Sequence, residues 1–157
     1  MLSIEVQVIE ALRALSAAYA AGVDRRDDSL VRSCFTADAE LVVRGRDGVR
    51  PLPERRLVGR DEISGITTTI ARYRRTFHLV GQGRYEIRGD RATGEVYCEA
   101  HHHAVDDDGV TTDRVLHIRY QDSYALSDEW LITKRIVGVD WSVDVVLGAL
   151  GDDGGPA

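Results

Sequence analysis

The stretch Leu116-His117-Ile118-Arg119-Tyr120-Gln121-Asp122-Ser123-Tyr124 decides the fold. Side chains on a strand alternate between two faces. Leu116, Ile118, Tyr120 and Tyr124 share one parity, and His117, Arg119, Gln121 and Ser123 share the other. The even set is apolar and aromatic, so it faces a core. Asp122 then also points inward, which is costly unless it is hydrogen-bonded.

Outward from this strand, the second half of the chain keeps the same period. Segments 76–88, 92–105, 112–126 and 130–143 are β-rich. Gly89-Asp90, Asp106-Asp107-Asp108-Gly109 and Ser127-Asp128-Glu129 separate them as turn signals. Strands joined by short turns form an antiparallel meander. The first half differs. Val8, Leu12, Leu15 and Tyr19 recur at helical spacing. The alanines at 17, 18, 20 and 21 favour a helix that ends near Val23–Asp24. Asp27 or Asp28 caps a second helix through Phe35, and Ala39–Val43 reads as a strand. Residues 44–58, with Pro51 and Pro53, read as a loop. Asp61 caps a third helix carrying Ile63, Ile66, Ile70 and Tyr73, which ends near Arg74–Arg75. Helices followed by a long sheet mean an α+β fold, and long curved strands with helices on one face can enclose a deep apolar pocket.

The chain has 157 residues, which suits one domain: 1–147 folded, and 148–157 a disordered Gly/Asp-rich tail. Its formal charge of −6 argues against generic binding to nucleic acid or an anionic membrane. No apolar run is long enough for a membrane span. The opening MLSIEVQVIE lacks the layout of a secretion signal. Cys34 and Cys98 have no metal or disulfide spacing and read as reduced core thiols. The expected setting is cytoplasmic.

In 94–104, Val96, Cys98, Ala100 and His102 share the inner parity. His102 is then either a hydrogen-bonded core histidine or a functional group. Within His101-His102-His103, adjacent residues point to opposite faces. Only His101 and His103 can chelate together, with Glu99 the one candidate for a third ligand, and no metal site is expected. By themselves, His78 reads as a structural histidine, Asp24 as a solvated carboxylate ending a helix, and Arg135 as a surface charge. The strand Trp130–Ile136 does not alternate cleanly enough to set the facing of Arg135.

The chain nevertheless carries an ordered set: Tyr19-x4-Asp24-x2-Asp27, Cys34-Phe35-Thr36-Ala37-Asp38-Ala39, Gly59-Arg60-Asp61-Glu62-Ile63, His78, Gly89-Asp90-Arg91-Ala92, Tyr120-x-Asp122 and Trp130-x-Ile132-x2-Arg135. Over about residues 5–142 this resembles the SnoaL-like branch of the nuclear transport factor 2-like superfamily. The closest patterns are those of scytalone dehydratase, hexachlorocyclohexane dehydrochlorinase and bile-acid 7α-dehydratase. The resemblance implies a cone-shaped α+β barrel, its curved antiparallel sheet wrapped around N-terminal helices. It implies an Asp-His dyad, Asp24 and His78, with the histidine as base. Tyr19, His102 and Arg135 match further catalytic positions of individual members, and Tyr120 a pocket-lining one. Cys98, Ala100, Leu116 and Ile118 would complete an apolar lining.

The implied activity is a cofactor-independent lyase of dehydratase type, or an isomerase, acting on hydrophobic and even polycyclic small molecules. The alternatives are a polyketide cyclase using Asp24 alone, or a non-catalytic binding module. Asp122, Arg135 and Asp140 do not make a convincing Asp-Arg-Asp set for an epoxide hydrolase. An exposed sheet face with Tyr97 and Trp141 nearby suggests a homo-oligomer, a dimer or trimer.

Overall fold

The first helix, α1 (Ile4–Arg25), starts where the Ser3 side chain accepts a hydrogen bond from the Val6 backbone N–H. Leu12, Ser16, Tyr19, Ala20 and Val23 form its buried face. The helix stops at Arg26, a non-glycine residue held in the left-handed region at φ 58°. Asp27 then caps α2 (Asp28–Ser33) by accepting from the Leu30 N–H at 2.9 Å. The computed structural model describes residues 3–45 and 53–148. The Gly/Asp-rich tail beyond Gly148 and the centre of the expected 44–58 loop lie outside the described residues.

Six strands make one open sheet in the order β2-β1-β6-β5-β4-β3. They are β1 (Phe35–Gly45), β2 (Arg55–Val58), β3 (Arg75–Arg88), β4 (Arg91–Val105), β5 (Thr111–Leu126) and β6 (Trp130–Gly148). β3 to β6 form the expected antiparallel meander. Irregularities near 81–82 of β3, and between β5 and β6, add to the strands' twist. The α1 helix lies against β3 and β6, and the core between helix and sheet includes Leu12, Phe35, Leu41, Ile63, Val96, Tyr120 and Ile132. The class is α+β, an open cone.

The chain departs from its sequence-based expectation in three places. The sheet is mixed, because β1 runs parallel to β6, with Leu41 opposite Arg135. That pairing joins residues almost a hundred positions apart, and no local pattern encodes it. Residues 55–58, expected as loop, form β2 against β1, an edge strand that buries only Leu57. The expected third helix is two, α3 (Arg60–Ser64) and α4 (Ile66–Ile70), parted at Gly65. Its cap is Gly59, at φ 85°, and Asp61 sits inside the first turn instead of capping it.

Candidate active site

Asp24 occupies the last turn of α1, where the helix end meets the start of β3. One carboxylate oxygen, Oδ1, lies 2.7 Å from His78 Nδ1, and the other accepts from the His78 backbone N–H at 2.9 Å. An ionised carboxylate only accepts, so the Nδ1–H donates and the ring's lone pair stays on Nε2. Burial raises the Asp24 carboxyl, but hydrogen bonds from the His78 side chain and backbone outweigh it and hold it below its ordinary range. The His78 side chain is nearly buried, and Nε2 has no protein hydrogen bond among the described residues.

Beside this pair opens a cleft of about 460 Å³. Ala17, Ala20 and Ala21 of α1 form one wall, and His78 and Val80 of β3 the other. The alanine run that favours the helix also keeps this space open, since a methyl group is all each residue contributes.

A residue outside the expected set holds the two elements together. The Arg26 guanidinium donates to the Asp24 backbone carbonyl at 2.9 Å, to Thr76 Oγ1 of β3 at 2.9 Å and to the Tyr73 carbonyl at 3.2 Å. Thr76 in turn hydrogen-bonds the Asp24 carboxyl. Nothing in Asp24-Arg25-Arg26-Asp27 distinguishes this arginine from its neighbour. Only the left-handed backbone, invisible in the sequence, aims it back at the helix end.

His102 points inward, as its parity implies. Its ring centroid is 5.8 Å from that of His78 and 4.8 Å from that of Tyr73. Burial, and then the nearby His78, push it down to about 4. It is therefore neutral near pH 7, and its Nδ1–H donates to the Arg114 carbonyl at 3.2 Å.

Arg135, read alone as a surface charge, is fully buried, at 0% exposure. The strand around it hides its alternation because β6 is covered on its inner face and paired on both edges. Its Nε and Nη2 donate to the two Asp122 oxygens at 2.8 and 2.7 Å, a bidentate pair. Nη2 also donates to Ser16 Oγ at 2.8 Å. Tyr124 Oη–H donates to the same carboxylate at 2.7 Å. Asp122 is thus the inward, satisfied acid that its parity requires. The Arg135 Cζ lies 4.2 Å from the Tyr120 ring centroid and 4.7 Å from that of Tyr19. Nη1 has no partner. Ser16 was legible only as a polar residue on the apolar stripe between Leu12 and Tyr19. Asp140 bonds Arg119 instead, at 2.6 Å, so no Asp-Arg-Asp set forms around Arg135.

Tyr19 packs edge-on to Phe35 and Tyr120. Burial pushes its phenol up to about 12, with the Arg135 cation pulling the other way. Tyr120 Oη–H donates to Cys98 Sγ at 3.4 Å. Tyr120, Cys98, Ala100 and Ile118 belong to the closed-packed core, with Leu116 at its margin. They lie outside the walls of the dyad cleft. His101 and His103 are on the outer face, and among the described residues no group of three or more ligand-type side chains is arranged to hold a metal ion.

The chain is an α+β cone with an acid-oriented histidine where its first helix meets its sheet. The SnoaL-like domain model matches residues 5–136, and the chain belongs to that family. No curated protein matches in sequence. Among solved structures, a scytalone dehydratase-like protein from Novosphingobium aromaticivorans DSM 12444 is 17% identical with a TM-score of 0.75, over 98% of this chain and 97% of the other. The hexachlorocyclohexane dehydrochlorinase LinA-type3 from Novosphingobium barchaimii LL02 is 17% identical with a TM-score of 0.73, covering 98% and 97%. An Asp-to-Asn variant of Rv3472, a Mycobacterium tuberculosis protein of unknown function, is 27% identical with a TM-score of 0.69, covering 89% and 77%. No helix among the described residues is long and apolar enough to cross a membrane.

Proposed function

We propose that this protein is a cofactor-independent acid–base lyase of dehydratase type that acts on a hydrophobic small molecule, with Asp24 and His78 as its working pair. The observation that carries this reading is the His78 imidazole: its Nδ1 is held by Asp24, and its Nε2 is free beside an open cleft. A carboxylate on one ring nitrogen fixes the tautomer and raises the basicity of the other. His78 Nε2 removes a proton from a carbon next to a carbonyl. The C–H electrons form a double bond as the neighbouring C–O bond breaks, and the hydroxyl leaves with a proton as water.

Tyr19 supplies that proton or holds the carbonyl oxygen, since its phenol, at about 12, keeps its proton at neutral pH. His102 holds substrate as a neutral donor or acceptor, because at about 4 it is not a cationic acid. In this reading the Arg135 guanidinium, packed on the Tyr19 and Tyr120 rings and paired with Asp122, favours developing negative charge from the core behind the cleft. Tyr120, with Cys98, Ala100, Ile118 and Leu116 behind it, gives the apolar backing. Returning the proton to another carbon makes the same apparatus an isomerase. Neither step needs a metal or organic cofactor.

The test assays elimination on a panel of hydroxylated ketones with Asp24→Asn and His78→Ala. Each substitution is expected to lower kcat by about 10²–10⁴-fold with the circular dichroism spectrum unchanged. Unchanged turnover in both would remove the dyad from the mechanism. Loss on Asp24→Asn alone would favour the cyclase reading, in which Asp24 is the base. Against that reading, both Asp24 oxygens are already engaged by His78.

A further inference from the structure

Next to His78 on the inner sheet face, a row of side chains runs from the candidate site out to solvent. Strand register sets Thr76 of β3, His102 of β4, Arg114 of β5 and Asp144 of β6 side by side. Directly opposed residues of antiparallel strands share a face, so Arg114 stands on the His102 side of the sheet. His102 is buried, whereas the Arg114 side chain is 46% exposed. The Arg114 guanidinium donates to the two Asp144 oxygens at 2.8 and 3.2 Å.

A second cation reaches this rim from the turn that leads into β3, Arg72-Tyr73-Arg74. The Tyr73 ring packs on His102, with 4.8 Å between centroids. Arg72 Nη2 donates to Tyr73 Oη at 3.1 Å, and its Cζ lies 4.9 Å from the ring centroid. The Arg114 side chain engages the same phenol. Two guanidinium groups therefore converge on one phenol oxygen. Like charges brought together repel unless an anion lies between them. Asp144 answers Arg114, but among the described residues neither Arg72 nor Arg74 pairs with a carboxylate. The rim is locally cationic on a chain whose formal charge is −6.

We propose that this rim is an anion seat, in which Arg72 and Arg114, with Tyr73 between them, take a carboxylate or phosphate group carried by the substrate. The assignment rests on the Asp24–His78 reading for where the chemistry occurs, and it adds the class of molecule that enters. Guanidinium forks match the oxygens of either group. Two ring contacts, Tyr73 on His102 and His102 on His78 at 5.8 Å, lead from the rim to the base. The substrate is then an amphiphile. Its apolar body fills the site, and its anion sits about two ring widths from the carbon that loses a proton. The negative charge of the whole chain disfavours anions elsewhere on the surface, so selection falls to this rim.

Isothermal titration calorimetry of the full chain tests this with naphthoate, naphthyl phosphate and naphthyl methyl ketone, all of one ring isomer. The three share an apolar body and differ in the group offered to the rim. One or both anions are expected to bind at least tenfold tighter than the ketone, and the tighter anion tells carboxylate from phosphate. Arg72→Gln and Arg114→Gln, both on exposed side chains, are each expected to weaken that anion at least fivefold and leave the ketone unchanged, with Arg72→Lys restoring part of the loss. Equal affinity for anions and ketone, no binding of any probe, or an anion preference that survives the two glutamine substitutions together overturns the proposal. Calorimetry needs no turnover, so the two readings fail separately. Full elimination activity in His78→Ala would remove the base and leave the rim, whereas loss of the anion preference alone would remove the rim and leave the base.

Discussion

Replacing Asp122 by Ala leaves the Arg135 guanidinium buried with only Ser16 as a side-chain hydrogen-bond partner. Breaking one side of a buried pair strands a charge, and the expected loss is about 3–5 kcal/mol in urea denaturation. Replacing both residues, Asp122→Leu with Arg135→Met, recovers most of that stability. Arg26 gives a second test at this scale. Glycine adopts the left-handed backbone at φ 58° more readily than arginine, so Arg26→Gly keeps the turn and removes only the side-chain clamp on Asp24 and Thr76. The account expects kcat to fall by up to about a hundredfold with the thermal midpoint little changed, because small misplacements of a base cost rate more than stability. Inward residues on regular strands were legible one by one: Asp122, Tyr124 and His102 all follow from parity. Arg135 and Arg26 were not, because their direction is set by strand pairing and by one unusual backbone angle.

Among the elements, the junction of α1 and α2 is tight at Gly22. A Cβ there would lie 2.8 Å from Val31 Cγ2 and 3.0 Å from the Val31 backbone nitrogen. On an open helix, Gly→Ala stabilises by about 1 kcal/mol. Here Gly22→Ala is expected to destabilise by about 1–3 kcal/mol, read as a lowered Tm, because backbone must shift to admit the methyl. Elements whose period is local were legible, so α1, α2 and the four-strand meander fall within a residue or two of expectation, with β6 running on to Gly148. The elements missed depend on partners elsewhere. β2 is a four-residue edge strand that exists because β1 supplies its hydrogen bonds, and β1 runs parallel to β6 through contacts no window of sequence contains. The break at Gly65 shows local propensity deciding against a helical stripe that looked continuous from Ile63 to Tyr73.

For the whole molecule, pH dependence follows from buried groups. His102 sits at about 4 in the folded state against about 6.5 unfolded. Below the unfolded value the unfolded chain takes up a proton that the folded one refuses. Stability from this group is therefore complete above about pH 6.5 and falls by up to about 3 kcal/mol as pH drops toward 4. Asp24, lowered in the fold, adds a further loss as pH falls through its folded value. His101, raised, contributes stability below its unfolded value that is lost as pH rises through its folded one. Urea midpoints across this range should decline on the acid side, and His102→Gln should flatten the decline between about pH 6.5 and 4.

The architecture was legible through the family resemblance as well as through the period of the strands. The pairing of Asp24 with His78 was legible only through the resemblance, because 54 residues separate them and each looks ordinary alone. Whether that pair moves protons is read most directly by incubating hydroxylated ketones with the protein in deuterium oxide and following the carbon next to the carbonyl by proton NMR. The account predicts loss of that proton signal with the wild-type chain, through exchange or elimination, and none above background with His78→Ala. Equal exchange by both proteins would contradict it.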